Sequence, residues 1–329
     1  MVKNKKLNVA VIGVGNMGKH HARIYSSLKD ANLVAISDIN EKVGEEIAKK
    51  FNCKYYKNYK EMIEREELDV VSIAVPTRLH KKVALDIISK GINVLIEKPI
   101  ASTLKEAHKI IEEAKKNKIK LTVGHVERFN PAVRKLKEII QQGKLGNIIS
   151  IIAKRVGPFA PQIKDAGVLI DLAVHDIDII NYLLEKEPTK IYANGGKAIN
   201  SYKEDYAEIF LNYGPISGYI QVNWITPVKI RELHITGTKG YAQLNYITQE
   251  LNLYQSKYKK EFDDYGDFVI KFGSTKKVSI PVKFEEPLKL EIESFLKSVK
   301  ENIKPEVTAG EALKSLGIAL KALRGIKYA

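Results

Sequence analysis

The stretch LNVAVIGVGNMGKHHARIYSSLK, residues 7–29, decides the fold of the first part of this chain. Its first six residues predict a short buried strand, and apolar residues spaced three and four apart from Met17 to Leu28 predict a helix. Between them, Gly13, Gly15 and Gly18 form the pattern G-x-G-x-x-G. A strand, this glycine pattern and a helix in direct succession are typical of a dinucleotide-binding turn.

Each glycine of this turn has its own physical task. The first makes the tight turn, the second lets the backbone approach a pyrophosphate, and the third lets helix and strand pack closely. Asn16 and Met17 complete the loop, and the helix that follows offers N–H groups and partial positive charge to a phosphate. All five loop residues are therefore predicted to bind the cofactor.

Asp38 predicts which nicotinamide cofactor is used. It ends the second predicted strand, 20 positions after Gly18, where a carboxylate accepts the hydroxyls of the adenosine ribose. The same carboxylate would repel a 2′-phosphate, and the neighbouring Ile39 and Asn40 add no cation. NAD is predicted, with NADP less favoured. The alternative is a glycine-rich turn followed by an aspartate that caps a helix.

The rest of residues 1–125 repeats the same alternation of strand and helix. Charged segments of helical length separate the short apolar runs, which predicts βαβ units and a doubly wound parallel sheet, a Rossmann domain. The further strands are predicted at 33–37, 70–75, 92–96 and 121–123, and the helices at 41–51, 59–66, 81–90 and 104–118.

Residues 126–329 follow a different pattern and are predicted to form a second, α+β domain. An apolar helix over 168–184 precedes a run of alternating, turn-bounded strands, which predicts a mainly antiparallel sheet. Helices are also predicted at 131–142, 288–299 and 311–326, strands at 148–156, 189–193, 206–213, 218–225, 231–237, 240–244 and 251–254, and no structure is assigned to 257–277.

Composition excludes several classes of protein. With 44% hydrophobic and 28% charged residues, the chain has the composition of a soluble globular protein. It contains neither an apolar run of membrane-spanning length nor a signal-peptide pattern, so a cytoplasmic protein without membrane partners is expected. The single cysteine, Cys53, cannot form an intramolecular disulfide and has no metal-ligand spacing, so no metal is predicted.

The net charge of +15, from 54 basic and 39 acidic side chains, raises nucleic-acid binding as an alternative. The lysines, however, are spread along the chain in short groups that punctuate amphipathic segments. This distribution favours a solvated surface that helps to attract anionic substrates. We therefore expect a small-molecule substrate rather than a nucleic acid.

Two further loops follow predicted strand ends, at the sheet edge where open α/β sheets bind ligands. Pro76, Thr77 and His80 lie in the first loop, and Glu97 and Lys98 precede a proline in the second. All five are predicted to contact the cofactor, and Lys98 is placed to polarise a reacting hydroxyl. The alternatives are a surface lysine beside a strand-ending proline and a histidine that caps the next helix.

The apolar helix predicted at 168–184 carries Asp171, His175 and Asp178 at positions i, i+4 and i+7. Such spacing places them on one face, and buried acids and imidazoles need polar partners, so this face is predicted to border a polar cleft. A histidine beside a carboxylate can accept an alcohol proton while hydride leaves the same carbon. The alternative is an internal Asp–His pair in the domain interface.

Taken together, these motifs resemble the glucose-fructose oxidoreductase, inositol dehydrogenase and MocA family, Gfo/Idh/MocA. The resemblance implies a Rossmann domain followed by an open-faced sheet domain used for oligomerisation, so a homodimer or homotetramer is expected. It also implies that Lys98, Asp171 and His175 form a catalytic group that binds and oxidises a hydroxyl of a sugar or cyclitol.

A narrower resemblance comes from GHVERFNP at 124–131, RVGP at 155–158 and NWITP at 223–227. These segments resemble the prokaryotic branch that includes UDP-N-acetylglucosamine 3-dehydrogenases. They imply a nucleotide-sugar substrate with Arg128, Arg155 and Lys164 among its binding residues, and Arg155 and Lys164 suit a diphosphate. Gln162 and Lys164 stand where arginine is expected. The alternatives are a free sugar or inositol dehydrogenase and a non-catalytic NAD-binding sensor.

Overall fold

The computed structural model describes residues 6–159, 166–199, 202–255, 258–262, 264–265 and 268–326. These residues form two compact units. The first contains residues 6–126, 166 and 286–318, and the second contains the described residues of 127–159, 167–285 and 319–326. The helices near the C-terminus, which we had assigned to the second domain, thus begin in the first unit. Among the described residues, no helix is long and apolar enough to cross a membrane.

The first unit is built on a sheet of six parallel strands, in the order β3-β2-β1-β4-β5-β6. This order is that of a Rossmann fold and confirms the doubly wound α/β prediction. The strands are β1 (Leu7–Ile12), β2 (Ala31–Ser37), β3 (Lys54–Tyr56), β4 (Val70–Ile73), β5 (Asn93–Ile96) and β6 (Leu121–Val123). Strand β3 was not predicted because its three residues are too few to show a pattern.

Helices cover this sheet through their apolar faces. Ile24 and Tyr25 share one buried core with Val9 of β1 and with Ile292 and Phe295 from near the C-terminus. The helices of the unit are α1 (Gly18–Ser27), α2 (Glu41–Phe51), α3 (Tyr59–Arg65), α4 (Thr77–Ile88), α5 (Leu104–Lys116) and α8 (Pro287–Lys300), and α9 (Ala309–Gly325) begins in it.

The second unit is built on an eight-stranded sheet in the order β16-β13-β12-β11-β7-β10-β9-β8. Every neighbouring pair is antiparallel except β10 with β7, which is parallel. The strands are β7 (Ile148–Pro158), β8 (Lys190–Gly196), β9 (Tyr206–Asn212), β10 (Ser217–Asn223), β11 (Ile225–Gly237), β12 (Gly240–Asn245), β13 (Glu250–Gln255) and β16 (Lys276–Ile280).

Two helices, α6 (Pro131–Gln141) and α7 (Val174–Leu184), belong to the second unit. A π-helical turn, Leu169–Ala173, precedes α7 within the segment predicted as one helix. The stretch without an assignment contains a separate hairpin of β14 (Tyr258–Phe262) and β15 (Phe268–Phe272), followed by the edge strand β16.

The two faces of the large sheet differ in polarity. Leu233, Leu244, Ile209 and Ile220 are all fully buried on one face. On the other face, paired residues of four neighbouring strands form a row that is apolar and exposed, which we call the open row. It consists of Tyr192, Phe210, Tyr219 and Ile152, with exposed fractions of 59, 39, 37 and 45%.

Candidate functional site

The glycine loop has the shape that a pyrophosphate requires. Gly13 has a φ of +81°, and a Cβ on Gly18 would lie 1.8 Å from the Gly13 carbonyl oxygen, so both positions need glycine. A Cβ on Gly15 would meet nothing within 4 Å, so the loop is open on that side. Helix α1 has neither an acidic residue in its first turn nor a side-chain cap, which leaves its N-terminus suited to a phosphate.

Asp38 lies at the carboxyl end of β2, next to this loop. Its Oδ2 accepts a hydrogen bond from the Val14 N–H at 2.8 Å, and its Oδ1 accepts one from the Asn40 N–H at 2.8 Å. A carboxylate has about four acceptor positions, so two bonds leave room for ribose hydroxyls. Ile39 beside it is 86% exposed, and neither Ile39 nor the next residue, Asn40, is a cation. These residues fit the adenosine half of NAD.

The second loop is held by a buried histidine. Pro76 precedes α4 as its N-cap and Thr77 is the first residue of that helix. The Nδ1 of His80 lies 2.9 Å from the Pro99 carbonyl oxygen, and its Nε2 lies 2.8 Å from the Val75 carbonyl oxygen. Through these two contacts the histidine joins the loop after β4 to the loop after β5. The side chain is almost fully buried. Any effect of His80 on cofactor binding is therefore expected to be indirect, through the position of these two loops.

Glu97 and Lys98 follow β5 at the same edge of the sheet, and they differ in burial. Glu97 is buried, with its Oε1 2.8 Å from the Nε2 of His21. Lys98 is half-buried, and the Lys98–Pro99 peptide bond is cis. The carboxylate therefore lies inside the fold, and the lysine is the member of the pair that solvent reaches.

The π-helical turn and α7 carry the acid and the histidine predicted to be catalytic. Asp171 and His175 are half-buried, whereas Leu172, Ala173 and Val174 between them are buried. The two polar side chains thus occur on the same accessible side of an otherwise apolar segment. π-Helical turns within α-helices are rare and frequent at functional sites.

Asp178, the third member of the predicted polar face, has a different partner. It is buried and forms a bidentate ion pair with Arg128, with Nε–Oδ2 and Nη2–Oδ1 distances of 2.7 and 2.8 Å. The guanidinium of Arg128 also lies over the ring of Tyr182. The prediction that Asp178 borders a polar cleft together with Asp171 and His175 is therefore wrong, because Asp178 is buried in an ion pair with Arg128.

Arg155 is buried in a similar way, in contacts that sequence analysis missed. Asp176 accepts two hydrogen bonds from it, at 2.8 and 3.0 Å, and Glu127 accepts a third at 2.9 Å. Although burial lowers the pKa of Arg155, these two carboxylates outweigh it and raise that pKa above its ordinary value. These contacts favour structural roles for Arg128 and Arg155 over direct binding of a substrate. Lys164 lies outside the described residues.

A third arginine, Arg231, was not among the predicted site residues. It stands directly across from Arg155 in the pairing of β11 with β7. Its Nη1 donates to the carbonyl oxygens of Val156 and Ile230 at 2.6 and 2.9 Å, and no described carboxylate forms an ion pair with it. Burial and the charge of Arg155 lower the pKa of Arg231 to about 10. This guanidinium is half-buried and keeps donor groups for another ligand.

Comparison with known protein families assigns both parts of the chain. Residues 7–125 match the oxidoreductase family with an NAD-binding Rossmann fold, Gfo/Idh/MocA. Residues 133–243 match the C-terminal domain of the same family. The fit of the glycine loop and Asp38 to NAD thus agrees with the family, and NAD is the cofactor.

Three relatives are especially similar. UDP-N-acetylglucosamine 3-dehydrogenase of Acidithiobacillus ferrooxidans is 30% identical over 75% of this chain and 77% of its own. Glucose-6-phosphate 3-dehydrogenase of Bacillus subtilis is 34% identical over 66% of this chain and 67% of its own. The scyllo-inositol 2-dehydrogenase (NAD(+)) of Bacillus subtilis is 26% identical over 98% of this chain and 94% of its own.

The solved structure of the Acidithiobacillus ferrooxidans dehydrogenase has the same fold. It superposes with a TM-score of 0.85 at 24% sequence identity, and the match covers 98% of both chains. The three relatives named above are dehydrogenases that act on hydroxyl groups of sugars or an inositol, and this chain is an enzyme of the same kind.

Proposed function

Since this chain belongs to the Gfo/Idh/MocA family of NAD-dependent oxidoreductases, we propose that it oxidises the 3-hydroxyl of a UDP-N-acetylhexosamine to a 3-keto nucleotide sugar. The observation that carries this proposal is the similarity to two relatives named for the same position of a phosphorylated sugar. One is the UDP-N-acetylglucosamine 3-dehydrogenase and the other is the glucose-6-phosphate 3-dehydrogenase. The test is whether a UDP-N-acetylhexosamine reduces NAD when the purified protein is added.

The proposed oxidation removes a hydride and a proton from the reacting alcohol. When bound, NAD would supply the acceptor for the hydride that leaves the carbon carrying the reacting hydroxyl. His175 takes the hydroxyl proton, because a histidine accepts protons near neutral pH. Lys98 donates a hydrogen bond to the same oxygen and stabilises its developing negative charge, while Asp171 holds the substrate and the lysine in position. Lys98 and His175 are both candidates for the base, and Lys98 takes that role if it reacts as the free amine.

The cofactor is proposed to bind along the carboxyl edge of the parallel sheet. Gly13, Gly15, Asn16, Met17 and Gly18 hold the pyrophosphate. Asp38 binds the ribose of the adenosine, and Pro76, Thr77, Glu97 and Lys98 form the loops at the nicotinamide end. His80 contributes by joining these loops.

For the diphosphate of the substrate, we propose Arg231 in place of Arg155. Two carboxylates form ion pairs with Arg155, whereas the hydrogen bonds that Arg231 donates within the described part of the chain go to carbonyl oxygens. The charges of Asp176, Glu127 and Asp171 also act on Arg231, but none of them accepts a hydrogen bond from it. A phosphate would accept the hydrogen bonds that its remaining N–H groups offer. It would also relieve the repulsion between two arginines that face each other across neighbouring strands.

A free sugar or inositol dehydrogenase is the second candidate. The observation that favours it is the scyllo-inositol 2-dehydrogenase, whose similarity extends over nearly the whole of both chains. Such a substrate carries no phosphate and needs no arginine. The two candidates therefore differ in whether removing Arg231 weakens substrate binding.

We further propose that the open row is covered by a second copy of this chain. The row joins four strands at directly paired positions, so it forms a continuous surface rather than scattered exposed residues. A two-fold axis parallel to the plane of the sheet would pack the row against itself, and two-fold dimers are the commonest class of soluble homo-oligomer. A homodimer is the minimal assembly, and a homotetramer contains it.

A further inference from the structure

A buried aspartate anchors the chain directly before β9. The side chain of Asp205 accepts hydrogen bonds from the N–H groups of Ala198 and Ile199, at 2.7 and 2.6 Å. Its backbone N–H donates to the carbonyl oxygen of Gly196 at 2.9 Å, and its carbonyl oxygen accepts from the Trp224 N–H at 2.8 Å. These four hydrogen bonds, which come from three segments of the chain, fix the position of the residue that precedes Asp205.

That residue, Glu204, contacts the segment that carries Asp171 and His175. Its backbone carbonyl oxygen accepts a hydrogen bond from the Val168 N–H at 3.1 Å, and its side-chain Oε1 accepts another from the Leu169 N–H at 3.4 Å. The first N–H groups of a helical segment have no acceptor within the helix. Glu204, which is 2% exposed, supplies acceptors for two of them and thus caps the π-helical turn.

Gly167 leaves the space that the carboxyl group of Glu204 occupies. A Cβ at position 167 would lie 2.1 Å from the Cδ and Oε1 of Glu204 and 2.3 Å from its Oε2. The φ of Gly167 lies outside the left-handed region, so its backbone conformation does not itself require glycine. Glycine is needed here because the carboxyl group approaches so closely. Gly167 and Glu204 therefore form a directly packed pair.

Two backbone hydrogen bonds connect the capped end of the turn to the residues proposed to be catalytic. The carbonyl oxygen of Gly167 accepts from the Asp171 N–H at 2.9 Å. The carbonyl oxygen of Leu169 accepts from the N–H of Val174, the residue before His175. The backbone positions of the acid and of the histidine thus both depend on residues that Glu204 contacts.

We infer that Glu204 is a positioning residue, which holds the π-helical turn in the conformation that brings Asp171 and His175 to the substrate. The inference rests on the proposed function, because that proposal gives these two residues their tasks. Glu204 acts through the backbone of the turn rather than by touching the substrate. A catalytic group misplaced by about 1 Å can cost about 10²-fold in rate, so loss of the cap should be measurable in turnover.

The first measurement needs no substrate. Amide hydrogen exchange of the peptide that contains residues 168–175 is followed by mass spectrometry in native protein, Glu204→Ala and Glu204→Gln. Alanine removes the acceptor of the Leu169 N–H, so exchange should become about 2- to 10-fold faster, the range for one lost hydrogen bond. Glutamine keeps an acceptor oxygen, so exchange should stay close to native. Glu250→Ala, at an exposed glutamate in the same unit, is the control and should change nothing.

The second measurement is turnover, on whichever substrate the protein oxidises best. Glu204→Ala should lower kcat by about 10-fold or more, and Glu204→Gln should keep most of it, while NAD affinity changes little in both. Gly167→Ala puts a methyl group where the carboxyl group lies, so it should lower kcat by a similar factor. In the double variant the methyl group fits the vacated space, so the two losses should not add.

Unchanged exchange of residues 168–175 in Glu204→Ala overturns the inference. Faster exchange with unchanged kcat gives the contact a structural role only and overturns it equally, as do equal losses of kcat in Glu204→Ala and Glu204→Gln. If Glu204→Ala does not fold, Gly167→Ala replaces it in both measurements under the same criteria. The proposed function fails by a separate result, namely no turnover of any UDP-sugar. Neither measurement depends on that substrate, so the two failures are distinguishable.

Discussion

The backbone N–H of Val14 donates a hydrogen bond of 2.8 Å to Oδ2 of Asp38. The carboxylate that ends β2 is thereby joined to the glycine loop that follows β1. In a Rossmann fold this carboxylate also binds the ribose of NAD. Asp38 thus joins the two loops, and we propose that it also selects the cofactor. The two roles can be separated by substitution.

Replacing Asp38 with serine together with Ile39→Arg is expected to change the preference from NAD to NADP. Removing the carboxylate ends its repulsion of a 2′-phosphate, and the arginine supplies a partner for it. The measurement is the ratio of kcat/KM for the two cofactors. Asp38→Asn is the control, since it keeps an acceptor for Val14 while losing the charge. Native protein that binds NADPH more tightly than NADH would contradict the role given to Asp38.

Removing the proposed catalytic groups should abolish most turnover and leave cofactor binding intact. We expect His175→Ala and Lys98→Met each to lower kcat by about 10²-fold or more, the range for lost acid–base catalysis. NAD affinity, measured by fluorescence or calorimetry, should change little, which also shows that the variants are folded. Near-native turnover in the His175 variant would refute the proposed mechanism.

Arg231 distinguishes a nucleotide-sugar substrate from one without phosphate. A hydrogen bond to a charged group contributes about 1.5–3 kcal/mol, so Arg231→Gln should raise the KM for a UDP-sugar by roughly 10- to 100-fold. Arg231→Lys, which keeps the charge and loses the planar pair of donors, should recover part of this. An unchanged KM for a UDP-sugar substrate would show that another residue binds the diphosphate.

The ion pair of Arg128 with Asp178 is expected to stabilise the fold strongly. Breaking a buried pair leaves an uncompensated charge, so Asp178→Asn should lower the free energy of unfolding by about 3–5 kcal/mol, measured by urea unfolding. Glu138 pairs with Lys135, and the two side chains are 53% and 43% exposed, so this surface pair provides the control. Glu138→Gln should cost about 1 kcal/mol or less, and a similar small loss for Asp178→Asn would contradict the structural role.

Stability should depend on Glu97 at acidic pH. The pKa of Glu97 is lowered from its ordinary value of 4.5 in the folded protein. The carboxylate therefore stabilises the fold fully above the unfolded pKa, and this is lost as pH falls through the folded pKa. The stability difference between native protein and Glu97→Gln should be constant above about pH 5 and shrink in more acid solution. A difference independent of pH would exclude this effect.

The exposed apolar surface of the open row leads us to predict the oligomeric state of the protein in solution. Phe210 and Tyr219 are directly paired on neighbouring strands, and the double change Phe210→Lys and Tyr219→Lys would bring two charges into the proposed contact. Native protein should sediment as a dimer or tetramer at micromolar concentration, and the variant as a smaller species. Ile247→Lys, an exposed residue outside the row, is the control. A monomeric native protein would contradict the proposed assembly.

The parallel half of the fold was predictable because its signals are local. Strands buried on both faces have near-continuous apolar runs, and the glycine loop identifies the strand and helix on either side of it. Strand β1 and helix α2 match their predicted ranges to the residue. The short β3 and the hairpin of β14 and β15 were missed, because strands of three to five residues are too short to show a clear pattern.

The candidate site was predictable only in part. A histidine and an acid four positions apart on an apolar segment can be recognised in the sequence, and both Asp171 and His175 are half-buried in the structure. Their catalytic role stays a prediction. Ion-pair partners cannot be predicted from the sequence in the same way. Arg155 contacts Asp176 only because two separate segments of the chain pack together. The π-helical turn likewise depends on tertiary contacts, and no residue type in the sequence predicts it.

The most direct test of the proposed function is a substrate panel. Purified protein with NAD is offered UDP-N-acetylglucosamine, UDP-N-acetylgalactosamine, glucose 6-phosphate, free sugars and inositols, and NADH formation is followed by absorbance, with Lys98→Met as the blank. We predict that a UDP-N-acetylhexosamine gives the highest kcat/KM and that its product is the 3-keto sugar. Oxidation of an inositol or free sugar with no turnover of any UDP-sugar would contradict the proposal.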